Sequence, residues 1–157
     1  MPNDQASPPP SIFYNSVYHH GVDEKRRVQI PAKWRPSESQ SIQFTVILWP
    51  ATASKGSYLL FLPPEPMQRL MSLITAMPYS DPKADSLRRL LGKNSDQVQV
   101  DKGGRICLPE MMAKGAGIDR ESVLVGSWDR FEMWNPERYE AASKVDEALS
   151  SEAFKLI

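Results

Sequence analysis

The chain has 157 residues, 41% of them apolar and 24% charged, with 19 Lys plus Arg set against 19 Asp plus Glu. That composition excludes a wholly disordered chain, a collagenous repeat and a disulfide-stapled miniprotein, and a length of this order supports one real core. With no formal net charge, any affinity for nucleic acid or a membrane must come from where the charges sit or from assembly. Cys107 is alone, which excludes an intramolecular disulfide and a Cys-based zinc cluster and agrees with a reducing, cytoplasmic compartment.

Residues 1–11 are polar and end at Ser11 after Pro8-Pro9-Pro10, which reads as a floppy tail without the basic start and apolar stretch of a secretory signal. No apolar run approaches a membrane span, so the chain is expected to be soluble. Strands are expected at Val17–Val22 and Arg27–Ile30 around an Asp23–Arg26 turn, then at Ile42–Trp49 and Tyr58–Leu62, which are rich in β-branched and aromatic residues. A helix starts near Pro64 or Pro66 with Met67, Leu70, Met71, Ile74 and Met77 on one face, and Pro78 stops it. Asp81-Pro82 opens a connecting helix with Leu87, Leu90 and Leu91 on one face and Gly92 as its stop. Gln97–Val100 and Arg105–Leu108 then flank an Asp101–Gly104 turn, Ser122–Ser127 and Phe131–Trp134 follow as strands, and Asn135-Pro136 caps a last helix.

The chain repeats itself. Asp23-Glu24-Lys25-Arg26-Arg27-Val28-Gln29-Ile30-Pro31 and Asp101-Lys102-Gly103-Gly104-Arg105-Ile106-Cys107-Leu108-Pro109 share the pattern D-x-x-x-R-h-x-h-P, h being apolar, at a displacement of 78 residues (27 to 105). Leu59 to Glu65 matches Phe131 to Glu137 at a displacement of 72 (64 to 136), placing about six extra residues of the first half within Pro36–Gly56. Two fragments in the same order point to an internal duplication. The units are 1–11 as tail, 12–80 as first repeat, 81–95 as connecting helix and 96–157 as second repeat with its C-terminal helix. The fold class is α+β, with short strands of both halves sharing one small barrel-like core.

Arg27 and Arg105 each follow an Asp by four residues, so Asp23 and Asp101 can bond turn amides or steady the arginine. An arginine on a rigid hairpin suits guanine O6 and N7 in a major groove, whereas an isolated Asp/Arg pair is otherwise a surface ion pair of small energy. The recurrence favours DNA reading. Cys107, between Ile106 and Leu108, is expected to be a small buried thiol, and the adjacent His19 and His20 cannot clamp one metal ion from a strand. Lys102-Gly103-Gly104 lacks the spacing of a phosphate-binding loop and reads as a turn. No enzyme, cofactor, metal or small-molecule substrate is expected.

The two D-x-x-x-R-h-x-h-P copies, each followed by h-h-x-h-x-P-E, together with Leu87–Gly92, Gln97–Pro109, Ala116-Gly117-Ile118, Val123–Gly126 and Phe131–Tyr139, resemble the MraZ family of tandem SpoVT/AbrB-type transcriptional regulators over about Phe13 to Tyr139. The resemblance implies a pseudo-twofold swapped-hairpin β-barrel with flanking helices and subunits joined in a ring. It further implies binding of double-stranded DNA at tandem G-rich repeats upstream of the division and cell-wall gene cluster, and a nucleoid-associated place in the cytoplasm. By similarity Arg27 and Arg105 contact DNA, with Lys25, Arg26 and Lys102 beside them and Asp23, Asp101, Gly103 and Gly104 shaping the loops. Arg26 stands where the family has glycine, which either strains or alters the first turn or adds a phosphate contact. Alternatives are a ring-forming scaffold that has lost specific DNA binding, and an antitoxin-like regulator that also holds a protein toxin.

Overall fold

A computed structural model describes residues 12–36, 41–50 and 56–157; the N-terminal tail expected at 1–11 lies outside them. The order is β1 (Val17–Gly21), β2 (Arg27–Gln29), a 3-10 turn (Ala32–Trp34), β3 (Gln43–Trp49), β4 (Tyr58–Leu62), α1 (Pro64–Thr75), α2 (Pro82–Lys93), β5 (Ser95–Gln99), β6 (Arg105–Cys107), α3 (Glu110–Gly115), β7 (Glu121–Gly126), β8 (Phe131–Trp134) and α4 (Pro136–Phe154). The 3-10 turn and α3 follow Pro31 and Pro109 respectively and were not expected. Both begin where a proline has fixed the preceding φ and needs no N–H partner.

Six strands form one antiparallel sheet in the order β1-β7-β8-β4-β3-β5, and β2 pairs with β6 as a separate ribbon. The registers obey the displacements found in the sequence. Val17 faces Val125 and Ser95 faces Ile47, a pair of matches that the 78-residue displacement exchanges. In the ribbon Val28 faces Ile106, Arg27 faces Cys107 and Gln29 faces Arg105, so the same exchange turns the ribbon onto itself about the Val28–Ile106 pair. In the middle of the sheet Leu60 faces Glu132 between the pairs Leu59–Met133 and Phe61–Phe131, which the 72-residue displacement exchanges. The change of displacement occurs between β3 and β4, so the extra residues lie between Trp49 and Tyr58, a narrower interval than the sequence indicated.

The expected closed barrel is not formed. β2 and β6 have three residues each and pair with one another, and Val22, just after β1, bridges to Val28, so β1 and β5 remain the open edges of the sheet. The ribbon covers one sheet face by inserting Val28 and Ile106, both fully buried, into the main core. At its centre Phe131 contacts four aromatic rings: Phe61 stacked at 4.6 Å, Trp34 at 5.1 Å, Phe44 at 5.3 Å and Tyr14 at 5.6 Å. Tyr14 is tied in by paired backbone bonds with Trp128, 2.8 Å each, and burial pushes its hydroxyl pKa up.

The opposite face packs Ile47, Leu60 and Leu62 beneath Met67, Leu70 and Leu91. Met71, expected on the buried face of α1, is exposed, because that helix covers the sheet only along its first turns. α2 begins at Asp81, whose side chain accepts the Lys83 amide at 2.9 Å, but it runs through Gly92 to Lys93 and ends at Asn94. Gly92 has open space around it and no special φ, so nothing makes it a stop. Arg88 of α2 folds back to donate to the carbonyls of Ile74 and Met77, supplying the cation that the last turn of α1 lacks.

Glu132 lies on this second face, at the centre of the strand pairing, where burial raises its carboxyl pKa, opposed by the bond from Trp134 Nε1 at 2.8 Å. A carboxyl whose folded pKa lies above its unfolded value loses stability for the protein as pH rises through that interval. Glu132→Gln, which keeps the acceptor for Trp134, is therefore expected to melt higher than wild type at pH 7. The gain should vanish below the ordinary glutamate range, as scanning calorimetry at about pH 3 and pH 7 checks.

Candidate nucleic-acid interface

Each ribbon strand is entered through a five-residue turn built around an aspartate. Asp23 Oδ1 accepts the amides of Lys25 at 2.9 Å and Arg27 at 2.8 Å; Asp101 Oδ1 accepts those of Gly103 and Arg105, both at 2.9 Å. Main-chain bonds from Arg26 to Asp23 and from Gly104 to Asp101, each 3.0 Å, close the two turns alike. These contacts, led by the amides of Arg27 and Arg105, hold both carboxyls below the usual aspartate range.

The fourth turn residue is left-handed in both copies: Arg26 has φ 62° and Gly104 φ 80°. Arg26 therefore adopts the same turn and does not force another. An L-residue there costs about 1–2 kcal/mol, and part of this is offset by a bond from Arg26 Nε to the Leu108 carbonyl at 3.0 Å. In the second turn a Cβ on Gly104 would meet the flexible ends of Arg35 and Gln29, which would have to move aside. Gly104→Ala is expected to cost about 1–2 kcal/mol through strain in φ and to displace the Gln29 and Arg35 ends. Arg26→Gly should stay within about 1 kcal/mol of wild type, since relief of φ is set against a lost bond and a floppier unfolded chain. Urea midpoints compare the two.

Strand alternation decides what faces outward. Val28 and Ile106 point into the core, so Arg27, Gln29, Arg105 and Cys107 share the outer face of the ribbon. Cys107 is exposed, not buried as expected, and its Sγ donates to the Lys25 carbonyl at 3.4 Å. Arg27 Nε pairs with Asp23 Oδ2 at 2.7 Å, and Arg105 Nε stands 3.5 Å from Asp101 Oδ2. Lys25 and Lys102 are exposed in the turns. The structure thus brings Arg27 and Arg105 together as diagonal neighbours on one face, while the Nε of Arg26 is directed back at the protein. Gln29 and Arg35, which contact the second turn, were missed; alternation about Val28 was the signal that placed Gln29 outside with Arg27.

Among the described residues no group of three or more His, Cys, Asp or Glu side chains is placed to hold a metal ion, and no helix is long and apolar enough to cross a membrane. A family model described as "MraZ protein, putative antitoxin-like" matches residues 92–155. A protein called transcriptional regulator MraZ from Thiobacillus denitrificans is 33% identical over 138 residues, covering 88% of this chain and 90% of the relative. One of the same name from Herpetosiphon aurantiacus is 34% identical, covering 83% and 88% respectively. A third, from Hydrogenovibrio crunogenus, is 26% identical and covers 89% and 97%. The name these relatives carry describes regulators, not enzymes.

Proposed function

Because this chain belongs to the MraZ family, we propose that it is a transcriptional regulator that binds double-stranded DNA in a sequence-specific way through the outer face of the β2–β6 ribbon. The observation that carries this is the pair of aspartate-built turns, alike in the backbone amides each aspartate accepts, that present Arg27 and Arg105 on one face about a local twofold. Arg27 and Arg105 pair with guanine O6 and N7, which suits tandem G-rich repeats such as those upstream of the division and cell-wall gene cluster. Lys25 and Lys102 neutralise phosphate, with Arg26 at the edge of the same surface. Asp23, Asp101, Gly103 and Gly104 set the loops in advance, so less ordering entropy is lost on binding.

In this reading 12–80 and 96–157 are two SpoVT/AbrB-type repeats joined by 81–95, and the crossed pairings of β1 with β7 and of β5 with β3 are their exchanged hairpins. A neutral subunit needs assembly for firm binding. A ring of copies repeats the ribbon face and raises the effective concentration for successive sites on one nucleoid duplex. The test is fluorescence anisotropy on the gene's own upstream region against a scrambled duplex over a salt series. A preference for the former, with a log–log salt slope near −0.9 per neutralised phosphate, supports the regulator. Equal binding to both duplexes, or to neither, overturns it in favour of a scaffold.

A further inference from the structure

We propose that Gln29 is the positioning residue for Arg105: the side-chain amide of the first half clamps the arginine turn of the second. This deepens, and rests on, the reading of that turn as a DNA reader. Gln29 Nε2 donates to the carbonyls of Gly103 at 3.2 Å and Gly104 at 3.1 Å. Both carbonyls lie within hydrogen-bond reach of this one nitrogen, which has two protons to give. Gln29 is also the cross-strand partner of Arg105, so the clamp acts directly beside the side chain it orients.

The second turn needs this clamp more than the first. Gly103 and Gly104 have the greatest backbone freedom of any residues, and the pairing of Arg105 with Asp101, at 3.5 Å, is looser than the 2.7 Å pairing of Arg27 with Asp23. The first turn has side chains at both corresponding positions, Lys25 and Arg26, and Arg26 is anchored to Leu108. The 78-residue displacement carries Gln29 onto Cys107, whose weak thiol donor reaches the matching carbonyl of Lys25 at 3.4 Å. A strong double donor thus serves the glycine-rich turn and a weak single donor the stiffer one. Arg35 lies against Gly104 beside the Gln29 amide.

Gln29→Met in the full chain removes the donors at nearly constant volume. In the DNA-free protein, amide hydrogen exchange at Gly103 and Arg105 should quicken about fivefold, the worth of one ordinary net hydrogen bond, with Lys25 and Arg27 unchanged. On duplexes carrying single base-pair changes, discrimination should fall by a similar factor at the pairs where Arg105→Ala also loses it, and Gln29→Met should add nothing to Arg105→Ala. Gln29→Asn, an amide too short to reach, should repeat the loss with a melting temperature within about 2–4 °C of wild type. Unchanged exchange, equal quickening of both turns, or loss at the pairs read by Arg27 overturns the clamp. A wild-type chain without sequence preference overturns the regulator reading and the DNA half of this proposal, a result separable from the exchange measurement.

Discussion

Phe131→Ala is expected to lower the free energy of unfolding by about 3–5 kcal/mol, the range for deleting a buried aromatic ring and leaving its cavity. Phe131 is fully buried and pairs across β4–β8 with Phe61, on which it stacks at 4.6 Å. It also touches Tyr14 and Trp34, so its loss loosens the N-terminal segment and the 3-10 turn that follows β2. Because the rings come from both halves, little collapse is available without moving the sheet centre. Urea denaturation followed by tryptophan fluorescence measures the loss. Leu73→Ala, on the exposed side of α1, provides the contrast and should stay within about 0.5 kcal/mol.

Arg105→Ala is expected to reduce discrimination between the gene's own upstream region and a scrambled duplex by about 1–3 kcal/mol, roughly five- to 150-fold, with nonspecific affinity changing far less. Lys102→Ala should instead weaken both duplexes alike and lower the salt slope by about one. Arg27→Ala should act in the same sense as Arg105→Ala at different base pairs, since the left-handed Arg26 preserves the first turn. Competition anisotropy separates the three patterns. Both turn aspartates have folded pKa values held below the ordinary aspartate range by the amides they accept, so the stability they contribute is present above that range and is lost only as pH falls through the lower folded values. Loop geometry should therefore persist at pH 5.

Much of this architecture is legible in the amino-acid order because the duplication is written into it. The displacements of 78 and 72 residues, read from two short motifs, recur in the strand registers. Tyr58–Leu62 and Phe131–Trp134 keep their predicted bounds, since buried strands read as short apolar and aromatic runs. The caps at Asp81 and Asn135 bond the amides expected of them. α3 escaped notice because its six residues, Glu110–Gly115, are too few for a helical period to show. Closure is not legible in the amino-acid order, because barrel formation depends on whether β1 and β5 meet a further strand, which is a property of the assembled sheet and not of either segment.

The candidate site divides in the same way. Asp23, Arg27, Asp101 and Arg105 were visible because the spacing of aspartate and arginine is itself the turn. The apolar neighbours of Cys107 suggest burial, whereas the alternation that sends Ile106 inward leaves the thiol exposed. Contacts between the halves, such as Gln29 to Gly103 and Arg26 to Leu108, join residues 74 and 82 positions apart and leave no local trace. They exist only once the ribbon has paired.

Hydrogen–deuterium exchange of the wild-type chain, with and without a duplex carrying its own upstream region, tests most directly whether the outer face of the β2–β6 ribbon is the surface that meets DNA. The account predicts protection concentrated in residues 23–29 and 101–107, with α4 unchanged. Protection confined to the helices, or none at either turn while the duplex is bound, would contradict it.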